Sequence, residues 1–115
     1  MRTTLRNRNG MTVIDLEGAL DYESTATFKD IIKNYLTESQ SPKNILINLE
    51  HLNFIGSMGV NEFVSMMKEF NSDHPSVKFC GVQPDFRRLI RYYADDTLLD
   101  EIFENEELAV NQLDI

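Results

Sequence analysis

The hydrophobic positions of this chain follow two different periods, one typical of strands and one typical of helices. An early segment, 3–8, alternates weakly, and a second one, 11–17, carries the strand-favouring residues Val13 and Ile14. The dipeptide Asn9-Gly10 between them favours a two-residue hairpin turn. A later segment, 44–49, is almost continuously apolar, which is typical of a strand covered on both faces. The pattern therefore predicts a hairpin followed by buried strands. The predicted strands are 3–8, 11–17, 44–49 and 77–81.

Three further segments show the helical period. In each of them apolar residues recur three and four positions apart, which places them on one side of a helix. The three stripes are Phe28, Ile31, Ile32, Tyr35 and Leu36; Val60, Phe63, Val64, Met67 and Phe70; and Phe86, Leu89, Ile90 and Tyr93. Because helices alternate with strands, right-handed crossovers and an at least partly parallel sheet are expected. The pattern predicts a single α/β domain.

Charge is unevenly distributed along the sequence. The 115 residues contain 11 Lys and Arg against 19 Asp and Glu, which gives a formal net charge of −8. This balance argues against nucleic acid or an anionic membrane surface as the main partner. Eight of the acids lie in 92–115, where there is no Lys or Arg. We therefore expect one domain, 1–115, whose residues 104–115 form an acidic C-terminal tail.

The expected cellular location and the candidate chemistry follow mainly from motifs that the sequence lacks. Cys80 is the single cysteine, so an intramolecular disulfide is excluded, and no Cys/His cluster has zinc spacing. No signal peptide or membrane-spanning apolar run is found, so a cytoplasmic location is expected. The sequence contains neither a phosphate-binding loop nor a nucleophile elbow. We predict no catalytic residue, no metal site and no cofactor.

Ser57 is the residue with the most interesting position, at the junction between a buried strand and a helix. Its hydroxyl could cap the helix by accepting a hydrogen bond from a backbone N–H, which is worth about 0.5–2 kcal/mol. The same place could hold a phosphate, because backbone N–H groups and the helix dipole favour an anion there. Position alone favours the cap.

The order of short motifs adds a resemblance to a known family. Residues 18–22 are similar to a Gly-x-Leu-Asp segment before a first helix, and 45–49 to a central strand. Phe-Ile-Gly-Ser-Met-Gly-Val at 54–60 is similar to Phe-Ile-Asp-Ser-Ser/Thr-Gly-Leu, and 77–82 to the next strand. Over almost its full length the chain resembles the STAS family, the domain of anti-sigma factor antagonists and of sulfate-transporter tails. The resemblance implies a mixed, mostly parallel sheet of about four to five strands with helices packed mainly on one face.

The resemblance also implies a function for Ser57. In the antagonist branch the serine of this motif is phosphorylated by a GHKL-type serine kinase that is also the anti-sigma factor. Unphosphorylated antagonist binds the kinase and frees the sigma factor, phosphorylated antagonist lets go, and a serine phosphatase is a further expected partner. The chain would thus be a non-enzymatic regulator of transcription that works by partner switching. The expected partner-binding residues are Asp21, Tyr22, Ser24, Gly56, Met58, Gly59, Asn61 and Glu62.

Three positions depart from the family pattern. Gly56 stands where the family has an Asp before the serine, Met58 replaces the usual Ser or Thr, and Asn48 replaces an acid of the central strand. A kinase that recognises the missing Asp would not accept this loop. The alternative is a STAS module that is not phosphorylated and serves as an adaptor or small-ligand sensor in a larger assembly. The sequence leaves both interpretations open.

Overall fold

The computed structural model describes residues 2–20, 22–38, 44–54, 57–73, 76–93 and 96–113, and these contain five strands and five helices. In chain order the elements are β1 (Arg2–Arg8), β2 (Met11–Leu20), α1 (Tyr22–Glu38), β3 (Ile45–Phe54), α2 (Ser57–Asp73), β4 (Val77–Cys80), α3 (Pro84–Tyr93), α4 (Asp96–Asp100), β5 (Ile102–Phe103) and α5 (Glu106–Leu113). The predicted alternation of strands and helices is confirmed.

The five strands form one sheet in the order β1-β2-β3-β4-β5. β1 and β2 pair antiparallel, and every other neighbouring pair is parallel. The predicted hairpin turn is present: Asn9 and Gly10 have φ values of 53° and 83°, as a two-residue turn with two left-handed positions requires. The mixed, mostly parallel sheet of the sequence prediction is therefore confirmed.

The larger core lies between one face of the sheet and helices α1 to α4. It contains most of the stripe residues whose side chains the structure describes, with Phe28, Phe63 and Phe70 fully enclosed. The rings of Phe63 and Phe86 meet edge to face at 5.9 Å between centroids, which joins α2 to α3. Helices packed mainly on one face were expected, and four of the five described helices contribute to this core.

Two stripe residues lie at the margin of the core instead of inside it. Ile31 is 43% exposed and Leu89 is 37% exposed, although both have the spacing of buried positions. Each lies at the edge of the apolar stripe of its helix, where the helix no longer contacts the core. No helix within the described ranges combines the length and apolar composition that a membrane span requires.

The second face of the sheet differs from the sequence expectation. Residues expected to form part of an acidic tail include α5, which packs its Ala109 and Val110 on Met11, Val13 and other buried residues of this face. Asn105 starts the helix, since its side-chain oxygen accepts a hydrogen bond from the backbone N–H of Leu108 at 2.9 Å. In the sequence, the Asn105 cap and the two apolar residues Ala109 and Val110 are too short a pattern to stand out among the neighbouring acids.

Candidate functional site

The structure brings the starts of α1 and α2 to the same edge of the sheet. β2 and β3 are parallel, and their last residues, Leu20 and Phe54, are partners in the ladder. α1 begins at Tyr22 and α2 at Ser57, so each helix starts within three residues of that shared edge. The two stretches predicted to carry the phosphoacceptor and the partner surface are therefore neighbours.

The start of α2 is electrostatically suited to an added negative charge. α2 has 17 residues and no acidic residue in its first turn, whereas the first turn of α1 contains Glu23. The segment 53–60 that leads into α2 has no charged residue at all. Because the N-terminus of a helix carries a partial positive charge, an anion placed there would be stabilised and would meet no nearby acid on this segment.

Three of the predicted partner residues have described side chains. Asn61 is exposed near the start of α2, Glu62 beside it is half-buried, and Ser24 in the first turn of α1 is half-buried. Asp21 and Gly56 lie outside the described residues. The side chains of Tyr22, Ser57, Met58 and Gly59 also lie outside what the structure describes, although these residues belong to the helices.

A small cleft lies beside the end of β3, and sequence reasoning did not anticipate it. It has a volume of about 220 Å³ and is lined by Leu52, Asn53, Gln83, Asp85, Phe86 and Leu89. Gln83 closes its rim by donating a side-chain hydrogen bond to the carbonyl oxygen of Glu50 at 2.5 Å. Asn53 and Gln83 are isolated polar residues in the sequence, and only the parallel pairing of β3 with β4 brings them together.

Asn48 does not flank the start of α2. It lies six positions before the end of β3, about 20 Å along the strand. Its Nδ2 donates to Glu106 Oε1 at 3.3 Å, and its Oδ1 accepts from the backbone N–H of Glu50 at 2.9 Å. The family's acid at this strand position would therefore not lie next to the expected phosphoacceptor, and of the three departures Asn48 is the one remote from the start of α2. An aspartate at position 48 would face the carboxylate of Glu106, and the amide avoids this repulsion by supplying a donor.

Glu106 belongs to a network that we call the arginine–glutamate cluster, formed by Arg6, Arg8, Asp15, Glu106 and Glu107. Arg6 contacts Asp15 and Glu106 at 2.5 Å each, and Arg8 contacts Glu106 and Glu107 at 2.5 Å each. Burial opposes ionisation of Glu106, but hydrogen bonds from Arg6 and Arg8 outweigh it and lower its pKa. The cluster joins β1 and β2 to α5. Sequence reasoning missed it because its two arginines lie about a hundred positions before its two glutamates.

Two features of the described residues bear on possible chemistry: their metal-ligating side chains and the thiol of Cys80. No three His, Cys, Asp or Glu side chains in this part of the chain come together in a way that could hold a metal ion. Cys80 is fully buried, and burial raises the pKa of its thiol to about 12, so it is protonated at neutral pH.

Fold and site together define a single α/β domain with a five-stranded mixed sheet, and comparison with known proteins names its family. The STAS domain model matches residues 2–109, so the chain belongs to the STAS domain family. Similar solved structures include the phosphorylated form of the cell fate determinant SpoIIAA from Bacillus, at 21% identity and a TM-score of 0.63 over 96% of this chain and 98% of that one.

Two further solved structures carry names that bear on function. An anti-sigma factor antagonist from Mycobacterium paratuberculosis is 19% identical, with a TM-score of 0.69 over 97% of this chain and 92% of that one. A serine-to-glutamate variant of RsbS from Moorella thermoacetica is 15% identical, with a TM-score of 0.73 over 98% and 95%. At these identities the similarity establishes a shared fold over nearly the whole length of each chain.

Proposed function

We propose that this STAS protein is a regulatory protein of the anti-sigma factor antagonist type. It binds a GHKL-type serine kinase that is also the anti-sigma factor, and phosphorylation at Ser57 switches this binding off. The observation that carries the proposal is the position of Ser57 as the first residue of α2, next to the start of α1. Its function is binding in the cytoplasm without catalysis, and its partners include neither nucleic acid nor membrane.

Relatives and charge support the choice of phosphorylation as the signal. SpoIIAA, which has the same fold, has been solved in unphosphorylated and phosphorylated forms. A phosphoserine adds about −1.5 to −2 charges at pH 7. At the start of α2 these charges meet the positive end of the helix and no acid of its first turn, so the fold tolerates them.

The same charge would act strongly on a bound partner. Segment 53–60 is uncharged in the unmodified protein, so a docked kinase has no net charge of this segment to desolvate. Phosphorylation introduces a strongly hydrated dianion into that contact, which must lose water or meet like charge before binding can occur. The switch therefore changes affinity and leaves the domain folded. A serine phosphatase would reset it.

Intact mass spectrometry after incubation with a candidate GHKL kinase and ATP tests the modification. We expect the wild-type protein to gain the mass of one phosphate and the Ser57→Ala variant to gain none. Ser65→Ala is the matched control, because Ser65 is an exposed serine in the same helix, and it should be phosphorylated like the wild type. Equal phosphorylation of Ser57→Ala would contradict the assignment.

Binding of the kinase tests the switch. We expect Ser57→Glu to weaken kinase binding at least tenfold, about 1.4 kcal/mol, and Ser65→Glu to leave it within twofold. Isothermal titration calorimetry of both variants measures the difference directly.

Gly56 favours a second candidate function, a STAS adaptor or ligand-sensing module that is not phosphorylated. A loop without the family's Asp lacks a group that a kinase of this type would recognise. On this alternative, Ser57→Glu leaves partner binding within twofold and no kinase adds phosphate. The two experiments above therefore separate the candidates.

A further inference from the structure

Helix α3 presents a basic and aromatic face on the outside of an acidic protein. Phe86 and Ile90 are buried and fix the inner side of the helix. Arg88 and Tyr92 are one turn apart on the opposite side, and Tyr92 is 82% exposed. Arg91 is also exposed, next to this pair. We call Arg87, Arg88, Arg91 and Tyr92 the basic face of α3.

The charge of this face is opposite to that of its surroundings. The basic face holds three of the 11 cationic side chains in a protein of net charge −8. All other Lys and Arg residues lie at Lys78 or earlier in the chain, and the sequence from 92 onward has none. Arg88 pairs with Asp85 three positions earlier, but both side chains are largely exposed, and such surface pairs exchange partners readily.

Clefts flank the basic face on both sides. The first is the 220 Å³ cleft described above, with Leu52, Phe86 and Leu89 in its lining. The second, of about 600 Å³, is lined by Arg87, Arg91, Leu99 and Asp100. A segment lying across α3 could therefore place an apolar side chain in the first cleft and a carboxylate in the second, while it covers Tyr92.

We propose that the basic face of α3 is a docking surface for an acidic segment of a partner protein. Arginine guanidinium groups bind carboxylates through two parallel hydrogen bonds, and arginine and tyrosine dominate the binding energy of many protein interfaces. The partner segment carries carboxylates for Arg88 and Arg91 and an apolar residue for the cleft at Leu89. This surface does not depend on modification of Ser57.

An acidic protein segment fits this face better than nucleic acid does. Asp85 and Asp100 stand in the linings of the two clefts and divide the positive charge into separate points. Arginine side chains separated by aspartates can each bind one carboxylate of a peptide whose intervening residues are neutral. A nucleic acid strand carries a negative charge at every phosphate, so some of its phosphates would lie close to Asp85 and Asp100 and be repelled. The net charge of −8 further repels a long polyanion on approach.

Selection from a random dodecapeptide phage library tests the proposal. The library is selected on the immobilised wild-type protein after depletion on the Arg88→Gln/Arg91→Gln double variant. We expect the recovered peptides to be rich in Asp and Glu with an apolar residue among them. A selection that returns no acidic sequence overturns the proposal.

Fluorescence anisotropy with the best labelled peptide locates the binding surface. We expect at least tenfold weaker binding to the Arg88→Gln/Arg91→Gln variant and to Tyr92→Ala. The control Arg2→Gln/Lys68→Gln changes the net charge equally at exposed positions of other elements and should bind within twofold. Equal binding to all variants, or tighter binding of a labelled twelve-nucleotide DNA strand to α3, would overturn the proposal. Circular dichroism confirms that each variant is folded.

Discussion

Gly81 shows how a single residue allows β3 and β4 to lie close together. It has a φ of +77°, a conformation that residues with a side chain rarely adopt. A methyl group there would lie 2.9 Å from Asn48 Oδ1 and 3.2 Å from the backbone nitrogen of Glu50. These are the two groups that hydrogen-bond each other at 2.9 Å. The absence of a side chain at position 81 therefore leaves room for the Asn48 side chain, which in turn donates a hydrogen bond to Glu106.

Substituting alanine at Gly10 and at Gly81, two of the three described glycines with a positive φ, separates backbone strain from steric contact. Gly10 has a φ of +83° with nothing within 4 Å of an added methyl group, so Gly10→Ala should cost about 1–2 kcal/mol from strain alone. Gly81→Ala should cost about 1–3 kcal/mol more, because Asn48 and Glu50 must move. Urea denaturation of both variants measures the difference. Equal free energies of unfolding would show that the crowding at Gly81 is relieved without cost.

Glu106 is a partly buried acid whose ionisation contributes to the fold. Its side chain is only 16% exposed and receives hydrogen bonds from Arg6, Arg8 and Asn48. Its pKa in the folded protein lies below the ordinary value of 4.5. The resulting stabilisation is present at pH values above 4.5 and is lost as the pH falls through the lower folded-state pKa.

Glu106→Gln should reduce the free energy of unfolding by about 1–3 kcal/mol at pH 7, because two arginines lose their charged acceptor. The difference from the wild type should shrink as the pH falls below 4.5. Glu107→Gln is the control: Glu107 pairs with Arg8 but is 68% exposed, so we expect a loss of less than about 1 kcal/mol. Urea denaturation at several pH values measures both. A pH-independent difference would contradict the role of ionised Glu106.

At the scale of elements, α5 converts an open sheet into one covered on both faces. Its buried residues and those beneath it form a second, smaller core, with Leu46 and Cys80 on the central strands. Eight residues are too few for a stable isolated helix in water. α5 is therefore helical because it packs on the sheet, and the buried thiol of Cys80 can report whether it does.

Val110→Asp tests the docking of α5. Val110 is 1% exposed, so a carboxylate there should destabilise the docked helix by about 2–4 kcal/mol. Cys80 should then react with a thiol reagent more than tenfold faster than in the wild type, since it becomes accessible and more easily ionised. Asn111→Asp places the same charge at the exposed neighbouring position and should leave the rate unchanged. An unchanged rate in Val110→Asp would show that α5 does not protect Cys80.

At the scale of the whole molecule, local patterns were sufficient to predict most of the fold. The hairpin turn, the buried strand at 44–49 and the three helical stripes depend on neighbours in sequence, and the structure contains all of them. The Cα radius of gyration of 13.2 Å is about that expected for one domain of this length. Crossover handedness and chain order then leave few ways to arrange these elements.

What the sequence did not predict depends on contacts between distant residues. Arg6 and Glu106 are 100 positions apart, and neither has a local pattern that points to the other. For the same reason residues 104–115 were expected to form an acidic tail, although Glu106 and Glu107 pair with Arg8 of β1. The site prediction rests on the motif at 54–60, because a single serine at a helix start has no distinctive chemistry.

The arginine–glutamate cluster joins residues that the ribosome adds at very different times. Arg8 and Glu106 are 98 positions apart, so a ribosome needs about 5–20 s to add Glu106 after Arg8. In the later part of that interval the strands that carry Val13 and Leu46 can pair, but α5 does not yet exist to cover them. Each newly made molecule therefore passes through a period with an apolar sheet face uncovered. Chaperones that bind such surfaces would act on the nascent chain during this period, before the last turn of helix closes the fold.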